Sequence, residues 1–233
     1  MMQVAILAGG LGTRLGSLTA QLPKALVPVN GQPFLAHVIE LLKSHGLTRI
    51  LILHGHHGDQ IERAFGDGSA RGVRIAYQHD GPRLLGTGGA LRTALPRLEE
   101  EFLVLYGDTY LDIDYRAVQS AFHASGKPAL MTVFRNGGRF DKSNVTFRGG
   151  ELLQYDKKNP VPEMDYIDYG LAALRREIIA DLPTGEPHDL ADLYTRLVRE
   201  RRMAGFEVFQ RFYEIGTPAG LAETESYLHG RAG

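Results

Sequence analysis

An α/β fold, with a mostly parallel mixed sheet and helices on both faces, follows from two features of the chain. Short apolar runs alternate with segments of helical period through the first half. The first of those runs opens directly into a glycine-rich loop, Gly9-Gly10-Leu11-Gly12. A β-α-β-α order places successive strands parallel, with the helices as crossovers.

Val4 to Leu7 reads as the first buried strand. Phe34, Leu35, Val38, Ile39, Leu41 and Leu42 keep a helical period that stops before Gly46. Arg49 to Leu53 is the next strand, and a helix from about Asp59 to Phe65 ends at Gly66. Val73 to Gln78 is again strand-like. Thr87 is positioned to cap a helix from Gly88 to Leu95, which Pro96 stops. Phe102 to Tyr106 closes the first half as an apolar strand, and Asp112 or Asp114 caps a helix that starts near Tyr115. The second half is richer in strands: Met131 to Arg135, Ser143 to Phe147, Glu151 to Tyr155 and Ile167 to Leu174. Arg148-Gly149-Gly150 makes a hairpin between the middle two. Helices near Asp189–Glu200 and Pro218–Leu228 complete the chain.

The glycine loop lies at the carboxyl end of a strand, where open α/β sheets bind ligands. Glycines let backbone N–H groups close on a phosphate without an intervening Cβ. Arg14 and Lys24 add fixed positive charge. Two familiar phosphate loops do not fit. The dinucleotide fingerprint G-x-G-x-x-G, begun at Gly10 and Gly12, meets Leu15 where glycine or alanine is needed. The P-loop needs lysine where Ser17 stands, and Gly12 and Gly16 are too close together for it.

The run Ala8-Gly9-Gly10-Leu11-Gly12-Thr13-Arg14-Leu15, followed by Pro23-Lys24, resembles the opening motif of the sugar-1-phosphate nucleotidyltransferases. Further matches extend the resemblance over most of the chain. It implies a Rossmann-like fold of one domain, residues 1–233, with a nucleotide-binding half to about residue 125 and a sugar-phosphate half from about 126. It also implies transfer of a nucleotidyl group from a nucleoside triphosphate to a sugar 1-phosphate, with release of pyrophosphate. The Leu85-Gly86-Thr87-Gly88-Gly89 spelling and the short chain look most like bacterial guanylyltransferases for heptose or mannose 1-phosphate. A uridylyl- or thymidylyltransferase is the alternative. A binding or regulatory protein that has lost catalysis is the alternative of another class, set against the retained arginine, lysine and metal carboxylate.

Candidate site residues follow from position and from the family motifs together. Leu7, Ala8, Gly9, Gly10, Gly12 and Thr13 form the nucleotide loop, and Arg14 faces the leaving pyrophosphate. Lys24 neutralises the α-phosphate or the incoming phosphate. Asp108, after Gly107 at a strand's carboxyl end, is placed to hold Mg²⁺, which prefers oxygen ligands. The resemblance adds Glu214 as the second carboxylate, where relatives usually carry aspartate. Gly86 and Thr87 open a helix amino terminus, which favours anions. Gln78 can both donate and accept toward a base; the alignment leaves Asp80 open as its alternative. On the sugar side the resemblance implies Gly107, Lys157, Asp168 and Gly170. Asp168 stands where many relatives have asparagine, so its hydrogen bonding to sugar hydroxyls differs. His54, His56 and His57 lack a further ligand spaced to complete a zinc site.

Composition narrows the rest. There is no cysteine in 233 residues, so disulfides, thiolate nucleophiles and cysteine-ligated metals are excluded. Net charge is −1, with 26 basic and 27 acidic residues, which offers no nucleic-acid footprint. The densest basic run, Arg199-Glu200-Arg201-Arg202, sits at a helix end, where cations favour the dipole. No apolar run approaches the roughly 20 residues that span a bilayer, and Met1-Met2-Gln3 lacks the basic region of a signal peptide. A cytoplasmic protein, with a homo-oligomer left open, is the expectation.

Overall fold

A computed structural model describes residues 1–10, 15, 16, 19, 21–81 and 83–231. In chain order its elements begin with β1 (Gln3–Leu7), β2 (Pro28–Val29), β3 (Gln32–Pro33), α1 (Phe34–Ser44), β4 (Arg49–His54), α2 (Gly58–Phe65) and β5 (Arg74–His79). Then come α3 (Gly86–Thr93), β6 (Glu101–Tyr106), β7 (Thr109–Tyr110), α4 (Tyr115–Ser125), β8 (Ala129–Arg135), β9 (Val145–Arg148), β10 (Glu151–Tyr155) and β11 (Tyr166–Arg175). The chain closes with α5 (Arg176–Ala180), α6 (Leu190–Arg199), β12 (Met203–Val208), β13 (Tyr213–Glu214) and α7 (Pro218–His229). The fold is α/β with a mixed sheet.

The chain divides into two compact units, each assembled from separate stretches. One comprises Gln3–Leu84, Leu105–Asp112 and Phe212–Gly233. Here β1, β4 and β5 run parallel, with Val4 beside Ile50 and Ile50 beside Ile75. Val4, Ala5, Ile6, Leu51 and Ile52 are fully buried, as expected of strands covered on both faces. The crossover α1 buries Phe34, Leu35, Val38, Ile39 and Leu42 on the stripe that the helical period marked.

The other unit comprises Met1–Met2, Leu85–Val104 and Ile113–Arg211. It contains the expected hairpin: β9 and β10 pair antiparallel, and Gly149 and Gly150 turn between them at φ 58° and 84°. Two glycines at positive φ suit a tight hairpin turn. β11 pairs antiparallel with β8 and β9, and β12 pairs parallel with β8. Asp114, not Asp112, caps α4, accepting from the N–H groups of Arg116 and Ala117.

Strand β12 has no signal in sequence, because Gly205 interrupts its apolar pattern. The glycine is there for packing. A Cβ at Gly205 would lie 2.5 Å from the Phe147 ring and 2.9 Å from the Leu152 side chain. Gly205→Ala is expected to cost about 1–3 kcal/mol through overpacking, read as a lower denaturation midpoint in urea with an unchanged slope.

Candidate active site

The carboxyl ends of β1 and β4 and the residues just past β6 are drawn together beyond the strands themselves. Ala8 N–H donates to the Leu53 carbonyl at 2.7 Å, and Gly107 N–H donates to the Leu7 carbonyl at 2.9 Å. A Cβ at Gly107 would meet the Ala8 methyl and the Leu7 carbonyl at 3.2 Å, so the Gly-Asp motif sits flush against the end of β1. Gly10 is exposed, and a Cβ on it would meet none of the described residues within 4 Å. Gly12, Thr13 and Arg14 lie outside the described residues.

Two motifs 84 residues apart meet in this unit. Lys24 Nζ donates to Asp108 Oδ2 at 2.5 Å. Lys24 opens a single 3-10 turn after Pro23, anchored by buried Ala25 and Leu26. Its side chain is 13% exposed and that of Asp108 30%. The Thr109 hydroxyl donates to the other carboxylate oxygen, Oδ1, at 3.2 Å.

Glu214 lies on the strand paired with this segment. Within β13 and β7, Glu214 stands opposite Thr109, and Ile215 N–H donates to the Asp108 carbonyl at 3.0 Å. Helix α7 holds the backbone of Glu214 from behind: the buried Thr224 hydroxyl donates to the Glu214 carbonyl at 3.2 Å. Asp112, the residue not used as a cap, accepts from the Tyr227 hydroxyl and from Arg231 of the same carboxy-terminal segment. Asp108, one residue before β7, and Glu214, on β13, thus bring two carboxylates to neighbouring backbone, oxygen donors of the kind a hard cation takes when phosphate oxygens complete its shell. Among the described residues no cluster of three or more histidines and carboxylates could hold a metal by itself.

At the end of β5 the two base-contact alternatives differ sharply. Gln78 is half-buried and its amide donates to the neighbouring His79 carbonyl at 3.0 Å. Asp80 is 9% exposed. Its Oδ2 lies so close to Gly9 that no Cβ fits there, and Oδ1 is enclosed without a hydrogen-bond partner among the described residues. Burial pushes the Asp80 carboxyl up to about 6, with the charge of His79 pulling the other way. A carboxyl whose folded pKa is raised takes up protons on folding, so stability falls as pH rises from about 4 towards 6. Asp80→Asn is therefore expected to melt higher than the parent chain at pH 7.5, with the gap closing by pH 5 in thermal scans.

The histidine cluster is explained by packing. His54 is 1% exposed, its Nε2 is 2.7 Å from Glu62 Oε1, and its ring lies where a Cβ on Gly58 would fall. Gly58 therefore admits the ring at the start of α2.

In the other unit Asp168 is half-buried on β11. Its Oδ1 accepts from Gly170 N–H at 3.0 Å, and its own N–H donates to Asn144 Oδ1 at 2.9 Å. Gly170 adopts φ 99°, within the register shift between Asp168 and Ala172. Such a bulge re-aims side chains, and this backbone conformation requires glycine. Burial raises the Asp168 pKa, while the Gly170 hydrogen bond and the charge of Lys157 oppose the shift. Lys157 is thus close enough to Asp168 to act on it. Lys158 is committed elsewhere, to Asp192 at 2.6 Å. The Asp156 carboxylate accepts from the N–H groups of Lys158 and Asn159, fixing the turn that carries Lys157. Asn144, which ties β11 to this turn through Asp168 N–H and the Asp156 N–H, was not legible in sequence.

The second glycine cluster differs from expectation in its capping. Helix α3 starts at Gly86, so Thr87 lies inside it and is not its cap. The Thr87 hydroxyl donates to Asp189 Oδ1 at 3.0 Å and accepts from Leu190 N–H at 2.8 Å, at the start of α6. Gly88 and Gly89 N–H groups both donate to the His188 carbonyl. A Cβ on Gly86 would stand 2.6 Å from that carbonyl oxygen. These glycines admit the 186–190 loop as closely as backbone allows.

A parallel β-α-β core, a glycine loop at the end of its first strand and a lysine–aspartate pair beside it define a phosphate-handling α/β enzyme. The nucleotidyl transferase family profile matches residues 3–140. The chain belongs to that family. It is 45% identical over 230 residues to an N-acetylmuramate alpha-1-phosphate uridylyltransferase of Neisseria meningitidis, covering 97% of each chain. It is 27% identical over 229 residues to a D-glycero-alpha-D-manno-heptose 1-phosphate guanylyltransferase of Campylobacter jejuni, covering 98% of each. A further relative, 30% identical over 214 residues, is longer, and this chain spans 55% of it. The solved structure of HddC from Yersinia pseudotuberculosis, complexed with GMP-PN, shares the fold. The TM-score is 0.78 at 24% identity, covering 98% of this chain and all of that one. No helix among the described residues is long and apolar enough to cross a membrane.

Proposed function

We propose that this chain transfers a uridylyl group from UTP to a sugar 1-phosphate of the N-acetylmuramate type, giving a nucleotide sugar and pyrophosphate. The Lys24–Asp108 pair beside the glycine loop carries the reaction class. The base and sugar rest on the 45% identity along nearly the whole chain, against 27% for the guanylyltransferase, which is the second reading.

The attacking group is a phosphate oxygen of the sugar 1-phosphate, already anionic at neutral pH. It displaces pyrophosphate from the α-phosphorus of the nucleotide in one in-line step, so no protein nucleophile is needed. The barrier lies in bringing two anions together, and catalysis is positioning plus charge neutralisation. In this reading Lys24 neutralises the phosphate under attack, Arg14 meets the departing pyrophosphate, and Lys157 orients the sugar phosphate. Asp168 and Gly170 face the sugar, and Gly9 and Gly10 present backbone to the nucleotide with Gly12 and Thr13. Asp108 and Glu214 would hold Mg²⁺, whose charge, when bound, offsets that of the phosphates. The two halves act as one catalytic domain, and the cytoplasm, which supplies nucleoside triphosphates, is the compartment this reading requires.

Pyrophosphate release across a panel of nucleoside triphosphates and sugar 1-phosphates tests it. The expected result is fastest release with UTP and N-acetylmuramate 1-phosphate, dependent on a divalent cation. Fastest release with GTP and a heptose or mannose 1-phosphate would favour the second reading. No release with any pair would leave only a binding protein.

A further inference from the structure

A cavity of about 440 Å³ opens beside Lys157, between the turn that carries it and helix α6. Its size is within the range of small-molecule sites, and all its walls belong to one of the two units. The charged groups that line it are unequally committed. Asp192 pairs with Lys158 at 2.6 Å, and Glu200 with Arg202 at 3.1 Å. Asp156 accepts two backbone N–H groups of its own turn. Lys157, Arg196 and Arg199 line the same cavity, and none of them has an ion pair among the described residues. Arg196 and Arg199 are three residues apart on α6, so both extend from one face of the helix. The helix dipole accounts for cations in a last turn. It does not account for a cavity between them and Lys157. Three uncommitted cations, with every acid around them already engaged, call for an anion.

The substrate of the proposed reaction carries two anionic groups. N-acetylmuramate 1-phosphate has its phosphate on C1 and a lactyl ether, ending in a carboxylate, on C3 of the same ring. The phosphate is met by Lys157 in the reading above, which leaves the carboxylate, ionised at neutral pH, without a partner. We propose that the cavity beside Lys157 takes the lactyl carboxylate of the sugar, with Arg196 and Arg199 as its cations. A guanidinium presents two parallel N–H donors to a carboxylate, which fixes direction as well as charge. Lys157 joins the two halves of the site: its charge acts on Asp168, and its side chain lines the cavity. A ring held by its phosphate at Lys157 therefore has the cavity within reach of a substituent two carbons away. The inference rests on the N-acetylmuramate reading and names what selects that sugar from its neutral relatives.

The test is pyrophosphate release from UTP with N-acetylmuramate 1-phosphate and with its lactyl methyl ester, which keeps the ether and removes the charge. The parent chain is compared with the double variant Arg196→Gln, Arg199→Gln. The parent is expected to favour the acid over the ester by about tenfold in kcat/KM, carried by KM. That is the low end for hydrogen bonds to a charged group, as suits a cavity still open to water. In the double variant the ratio should fall to near one, and Arg196→Lys with Arg199→Lys should restore part of it. A parent chain that treats acid and ester alike overturns the inference, and this comparison stands even if the variants fail to fold. A double variant that keeps the parent's ratio overturns it too. So does a loss equal for acid and ester, which would assign the arginines to the phosphate or to the fold. Each of these leaves the proposed reaction intact. A parent chain that turns over neither sugar phosphate overturns the N-acetylmuramate reading and this inference together.

Discussion

Asp108→Asn should lower turnover about a hundred- to thousandfold, the usual cost of removing one preorganised electrostatic group from such a site. The amide keeps the shape of the carboxylate and loses its charge. Lys24 Nζ then has no anion at 2.5 Å, and Glu214 is left as the one carboxylate of the pair. The fold should survive. Asp108 is 30% exposed, so the pair contributes no more than about 1–2 kcal/mol. That corresponds to a shift of a few degrees in melting temperature for a chain of this length. The two readouts must separate: pyrophosphate release nearly abolished, and a thermal transition near that of the parent chain. Turnover within about fivefold of the parent would remove Asp108 from the chemistry. Because Lys24 and Asp108 act on one another, Lys24→Ala combined with Asp108→Asn should cost little more than the worse single change.

Gly9→Ala is the second large effect, and it acts through shape. The added methyl falls on Oδ2 of Asp80, a side chain that is itself buried. Either the carboxylate swings away or the end of β1 shifts, and in both cases the first residues of the nucleotide loop move. Displacements near 1 Å at a positioning element cost about a hundredfold in rate. The expected result is a drop of about that size in kcat/KM for the nucleotide, with stability lowered by about 1–3 kcal/mol. Shortening the opposing side chain should return part of it. Gly9→Ala with Asp80→Gly is expected to be more active than Gly9→Ala alone, a coupling that two independent defects would not show. An unchanged kcat/KM in Gly9→Ala would mean that the Gly9–Asp80 contact does not position the loop. Gly10→Ala is the internal contrast, since a Cβ there meets none of the described residues within 4 Å.

The parts of this molecule that sequence revealed are those written locally. β1, β4 and β6 are apolar runs, α1 keeps its period over three turns, and Gly149-Gly150 is a turn in itself. The glycine loop, Pro23-Lys24 and Gly107-Asp108 could each be found because each is a contiguous motif. Their meeting was legible only through the family resemblance, since Lys24 and Asp108 are 84 residues apart and the residues alone say nothing of pairing. Thr87 shows the opposite failure. A threonine before an apolar stretch looks like a cap, but α3 begins one residue ahead of it and its hydroxyl serves α6 instead. Strand β12 was hidden by a glycine whose purpose lies across the sheet, in Phe147 and Leu152. Asn144 carried no signal because its task is to hold Asp168 at a strand 24 residues on.

The central claim is that a nucleoside triphosphate and a sugar 1-phosphate exchange pyrophosphate for a sugar in one step. Phosphorus NMR of the complete mixture observes that exchange directly. With UTP, Mg²⁺ and N-acetylmuramate 1-phosphate, the account predicts that pyrophosphate and a uridine diphosphate sugar rise together in equal amounts. Added pyrophosphate should drive the same signals backwards. Release of pyrophosphate with uridine monophosphate, at a rate indifferent to the sugar phosphate, would contradict it.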